Sequence, residues 1–90
     1  MERDIITIWD NDIVRIRDID RNLNLAMREL GIRRVIRVIS EPPLLARENL
    51  LNRLPVLEIA GRYWSLKPGR TISQESCKGL LQMIEKESCK

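Results

Sequence analysis

The sequence contains no histidine and no phenylalanine, and its only aromatic residues are Trp9, Tyr63 and Trp64. Without imidazole there is no histidine general base, no Ser-His or Cys-His nucleophilic pair and no imidazole metal ligand. The two cysteines, Cys77 and Cys89, sit near the C-terminus with no second pair. Neither a zinc ligand set nor a disulfide framework can be read from them. Walker-type loops, GxGxxG and the nucleophile elbow are absent as well. No apolar run approaches the roughly 20 residues that span a bilayer. The charged start, Met1-Glu2-Arg3-Asp4, leads straight into a strand-like segment and is unlike a signal peptide. These absences predict a cytoplasmic protein with no metal, no cofactor and no membrane partner.

What is present suits one small domain. The chain has 90 residues, 43% hydrophobic and 32% charged, with a net charge of +3. A length below about 100 residues leaves room for a single modest core. The basic residues are mostly arginine, and the densest group is Arg33, Arg34 and Arg37, with a second at Arg15, Arg17 and Arg21. They are interspersed with acidic residues and lack the neighbouring aromatics that stack on bases. A solvated face is the blander reading. A phosphate or nucleic-acid site through Arg33, Arg34 and Arg37 is the sharper one.

Hydrophobic patterning sets the order of elements. Ile5-Ile6-Thr7-Ile8-Trp9 is β-branched and nearly all apolar, as in a strand buried on both faces. From Ile13, the residues Ile16, Ile19, Leu23, Ala26 or Met27, and Leu30 recur at helical steps, with Asp12 as N-cap and Gly31 as C-cap. Residues 33–39 read as a strand whose arginines mark a sheet edge. Ser40 is the expected cap of a second helix carrying Pro42 and Pro43 in its first turn and burying Leu44, Leu45, Leu50 and Leu51. Val56 to Ile59, a tight turn at Ala60-Gly61, and Tyr63-Trp64-Ser65-Leu66 form a hairpin. Ser73 caps a last helix with Cys77, Leu80, Leu81 and Ile84 on its buried side. The prediction is a domain over residues 1–86 with a C-terminal tail at 87–90.

That order, βαβαββα, resembles the thioredoxin fold, and its smallest members most of all: the glutaredoxin-like "redox-active disulfide" proteins of archaea and bacteria. The resemblance rests on the Ile-Trp end of the first strand, Glu29-Leu30-Gly31-Ile32, Leu54-Pro55, and Gly69-Arg70 ahead of the Ser73-capped helix. It implies a four-stranded mixed sheet with helices on both faces and a cis-proline at Pro55. It also implies a Cys-x-x-Cys at the start of the first helix, where the helix dipole and free N–H groups stabilise a thiolate. In this chain those two positions fall on Ile13 and Ile16, and neither can form a thiolate. Asp10 and Asp12 add negative charge there, which raises a thiol pKa.

The resemblance therefore implies a redox-inactive protein acting as a protein- or peptide-binding or structural module, with no catalytic residue. A surviving peptide site would consist of Asn11, Asp12, Leu54 and Pro55 and act by strand addition. The competing reading is a thiol–disulfide oxidoreductase working through Cys77 or Cys89. Twelve helical residues separate the two by about 18 Å, against a bridging limit of about 7 Å between Cα atoms. Trp9 is expected as a core anchor. Tyr63 and Trp64 are expected on opposite faces of their strand.

Overall fold

A computed structural model describes residues 5–88. The described chain is an α/β fold with one four-stranded mixed sheet in the order β2-β1-β3-β4. Strand β1 (Ile5–Trp9) leads into α1 (Ile13–Leu30), then β2 (Val35–Ile39), α2 (Pro42–Arg47), β3 (Val56–Ile59), β4 (Arg62–Trp64) and α3 (Gln74–Ser88). β2 runs parallel to β1, while β3 is antiparallel to β1 and β4 antiparallel to β3. Among the described residues no helix is long and apolar enough to cross a membrane.

Local chemistry accounts for the ends of α1. The Asp12 carboxylate accepts from the N–H groups of Val14 at 3.0 Å and Arg15 at 3.1 Å, taking up two donors that the first turn leaves without helical partners. At the other end Gly31 adopts φ 68°, where a side chain is disfavoured. The Gly31 and Ile32 N–H groups then close onto the carbonyls of Arg28 and Met27, a Schellman stop.

Helix α2 departs from the sequence expectation in three ways. Its N-cap is Glu41, not Ser40, and the Glu41 side chain makes no capping hydrogen bond. It stops after six residues because Asn49 takes φ 59° and repeats the Schellman pattern: Asn49 N–H bonds to Ala46 and Leu50 N–H to Leu45. Leu50 is consequently buried from a turn, and Leu51, expected inside, is 47% exposed. Strand ends are also trimmed, with β2 opening at Val35 and not Arg33, and β4 closing at Trp64 and not Leu66. Helix α3 continues through Ser88, past the domain boundary read at residue 86.

The alternation of strand side chains divides the core in two. Ile6, Ile8, Leu57 and Ile59 face α1 and α3 and pack with Ile16, Ile19, Leu23, Cys77, Leu81 and Ile84. On the opposite face Trp9 and Val56 pack with Leu45, Leu50 and Leu54 under α2. Tyr63 and Trp64 separate as expected: Trp64 joins the α1/α3 layer, and the Tyr63 ring lies tilted against Trp9 at 6.2 Å. The β3–β4 turn places both Ala60 (φ 53°) and Gly61 (φ 80°) in left-handed backbone, as a two-residue type I′ hairpin requires.

Candidate functional site

The carboxyl end of β1 holds a fully buried carboxylate, Asp10. Asp10 has no solvent-exposed surface, and a buried carboxylate is costly unless charge and hydrogen bonds compensate it. Arg15, one turn into α1, reaches back with its planar fork: Nε donates to Oδ2 and Nη2 to Oδ1, both at 2.6 Å. The same carboxylate accepts from Asn11 N–H at 2.8 Å and Asp12 N–H at 3.4 Å. The Asp10 N–H in turn donates to the Ile39 carbonyl at the end of β2. Hydrogen bonding to Asp10, followed by its charge, holds the Arg15 guanidinium pKa above its ordinary value. Strand end, turn and first helical turn are thus tied into one clamp.

The clamp displays two aliphatic side chains. Ile13 is 70% and Val14 62% exposed on the first turn of α1, while Ile16 turns inward at 9%. Register places further apolar surface at the same end of the sheet. Trp9 pairs with Val56 and Leu57 with Trp64, and Leu66, two residues past the end of β4, is half exposed. The Ser65 hydroxyl donates to the Arg53 carbonyl at 2.7 Å, binding that loop to the Leu51–Leu54 turn. Ile13, Val14, Leu51 and Leu66 are thus exposed apolar side chains on the segments that flank this end of the sheet, its apolar rim.

The four residues expected to form a peptide site differ in exposure. Asn11 and Asp12 are exposed, whereas Leu54 and Pro55 are buried. The Leu54–Pro55 bond is cis. The Leu54 carbonyl, which strand addition needs, already accepts from Gly69 N–H at 2.8 Å. No family model, curated protein or solved structure matches the chain. The functional reading accordingly rests on geometry and on the sequence resemblance.

The remaining candidates are dispersed. Cys77 is fully buried in the α1/α3 core, and that burial pushes its thiol pKa up to about 12. The neutral thiol therefore prevails at ordinary pH, and the thiolate is the nucleophile. Cys89 lies outside the described residues. Arg34 points to the α3 side and pairs with Glu85, while Arg37, on the other face, donates to Thr7 Oγ1 at 3.3 Å. Arg33, Arg34 and Arg37 thus do not converge on one anion. Trp9 is the core anchor expected of it, buried to 7% with Nε1 donating to Glu58 at 2.9 Å. Among the described residues no cluster of three metal-ligating side chains occurs.

Sequence reasoning missed two features here. Arg15 reads with Arg17 and Arg21 as surface charge, because no helical spacing rule pairs a residue with one five positions earlier across a cap. The rim is hidden in the sequence because Leu51 reads as a buried helix position and Leu66 as the end of a strand. The signal available for Leu51 was Asn49, a residue that tolerates left-handed backbone and often ends helices.

Proposed function

We propose that this chain is a thioredoxin-like protein without thiol chemistry, and that it serves as a protein-binding module through the apolar rim at the end of β1. The observation that carries this reading is the exposure of Ile13 and Val14 on a helix turn held rigid by the Asp10–Arg15 clamp. Exposed aliphatics on a preorganised backbone lose little conformational entropy on docking. Ile13 is exposed and Ile16 buried, the arrangement that an attacking and a resolving cysteine would need, so the resemblance and the geometry support each other.

Three experiments test this. Insulin reduction with dithiothreitol should run at the rate of the protein-free blank; turnover above it, lost with Cys77→Ser, defeats the reading. The double substitution Ile13→Cys, Ile16→Cys should form an intramolecular disulfide, since Cα atoms three apart on a helix lie within the roughly 4.4–6.8 Å that a disulfide spans, and should reduce insulin measurably. Failure of that pair to oxidise in a folded protein counts against the thioredoxin-like assignment. A photo-crosslinker at position 14 should give discrete adducts that Ile13→Asp abolishes. Equal adducts from position 82, on α3 beside the far end of α1, overturn docking at the rim.

A further inference from the structure

Because β2 runs parallel to β1, its start lies at the end of the sheet opposite the rim. There a depression of about 620 Å³ opens between the last turns of α1 and Val35. Small-molecule sites span about 300–1,000 Å³ and combine apolar walls with a few placed polar groups. Met27, Ile32 and Val35 supply the apolar wall, and Val35 keeps 64% of its surface exposed. Arg28, Arg33 and Arg34 supply charge, and among the described residues no acid lines the depression. Arg34 is engaged by Glu85, so the uncompensated charge is that of Arg28 and Arg33. Both are exposed, and neither joins an ion pair among the described residues. Glu29, beside Arg28 in the chain, is turned to α3 and held by Lys78 and Gln74. Backbone acceptors are withdrawn as well, since the Arg28 and Met27 carbonyls accept from Gly31 and Ile32 N–H. The negative end of α1 offsets about half a charge, against two full positive ones. The balance calls for an anion.

We propose that this depression binds a small phosphate monoester, its head held by Arg28 and Arg33 and its organic body laid on Met27, Ile32 and Val35. A phosphate monoester carries about −1.5 to −2 near neutral pH and offers three acceptor oxygens, enough for two guanidinium groups at once. A carboxylate brings a single charge. Nucleic acid is disfavoured as the occupant, because Trp9, Tyr63 and Trp64 lie on β1 and β4 and none lines the depression, leaving no platform for base stacking. The site shares no residue with the rim. The 18 residues of α1 put about 27 Å between the two, so each reading can fail alone.

The test titrates the full, nitrogen-15-labelled chain with phenyl phosphate at about pH 7.5, beside inorganic phosphate, benzoate and phenol. Phenyl phosphate should move the amide resonances of residues 27–35 most and bind at least about threefold more tightly than any control. Arg28→Gln and Arg33→Gln, both exposed substitutions, should each weaken it about threefold to tenfold while leaving the rest of the amide spectrum in place. Inorganic phosphate binding as tightly as phenyl phosphate overturns the proposal, because the apolar wall then contributes nothing. Benzoate binding equally well overturns the choice of phosphate. No shift at residues 27–35, or affinity unchanged in both arginine variants, overturns the site. A short single-stranded oligonucleotide that moves the same amides at lower concentration assigns the depression to nucleic acid and overturns the proposal too.

Discussion

The two faces of the sheet are built to different standards. Under α1 and α3 the layer is continuous: Ile6, Ile8, Leu57 and Ile59 meet Ile19, Leu23 and Leu81, all without solvent exposure. Under α2 the apolar layer covers only the end of the sheet around Trp9, Val56 and Leu45. The next row back runs Arg37, Thr7, Glu58, Tyr63, one residue from each strand. There a recess of about 60 Å³ opens between Ile5, Arg37, Glu58 and Gly61. A six-residue helix cannot shield a four-stranded sheet, so the chain places polar side chains where cover ends. Stability is concentrated on one face and accessible chemistry on the other.

Equivalent truncations on the two faces probe that contrast directly. Leu23 and Leu45 are both leucines with no exposed surface, so the transfer term is the same and the difference lies in how far each site collapses. Leu23→Ala, between two long helices and the sheet, should cost about 4 kcal/mol. Leu45→Ala should cost about 2–3 kcal/mol, because a short helix can move inward to fill the gap. Chemical denaturation with an unchanged slope is the measurement. Equal losses would mean that α2 is as firmly held as the two-helix layer.

Most of this division was legible before any coordinates. The helical period from Ile16 to Leu30, closed by Asp12 and Gly31, leaves α1 little alternative. The β-branched run at Ile5–Trp9 marks the central strand, and the Arg33–Arg37 alternation marks an edge. Where legibility fails, two local signals conflict. Leu50 and Leu51 extend an apolar count that Asn49 has already ended. Ala60 occupies a left-handed turn position that glycine usually fills. The candidate site was half legible: the positions of Ile13 and Ile16 follow from counting, but the Arg15–Asp10 clamp depends on a fold-back that no periodicity encodes.

That clamp belongs to neither face, and breaking it separates the turn's stability from that of the layers. Arg15→Ala leaves the fully buried Asp10 carboxylate with only backbone N–H partners. Removing one partner of a buried pair costs about 3–5 kcal/mol. The Arg15 side chain is 16% exposed, which places the expected loss near the lower end, about 3 kcal/mol. Arg21→Ala, breaking the 3.6 Å pair with Asp18 on an exposed surface, should cost less than about 0.5 kcal/mol. If the two losses are similar, Asp10 is not relying on Arg15, and the rim is less preorganised than proposed.

The smallest effect comes from the well-covered side, where an ion pair seams α1 to α3 at the surface. The Lys78 ammonium lies 2.9 Å from the Glu29 carboxylate, and Gln74 Nε2 also donates to it. Hydrogen bonding from Lys78, then from Gln74, lowers the Glu29 pKa from its ordinary value. A carboxylate with a lowered folded pKa adds stability above its unfolded pKa and loses it as pH falls through the folded value. Stability of the native chain should therefore exceed that of Glu29→Gln at neutral pH, with the gap closing as pH drops through the lowered Glu29 pKa. The gap should also shrink with added salt at neutral pH, because exposed pairs are screened. A gap that persists in acid would assign the seam to the Gln74 hydrogen bond and side-chain packing, and would make the α1/α3 layer independent of surface charge.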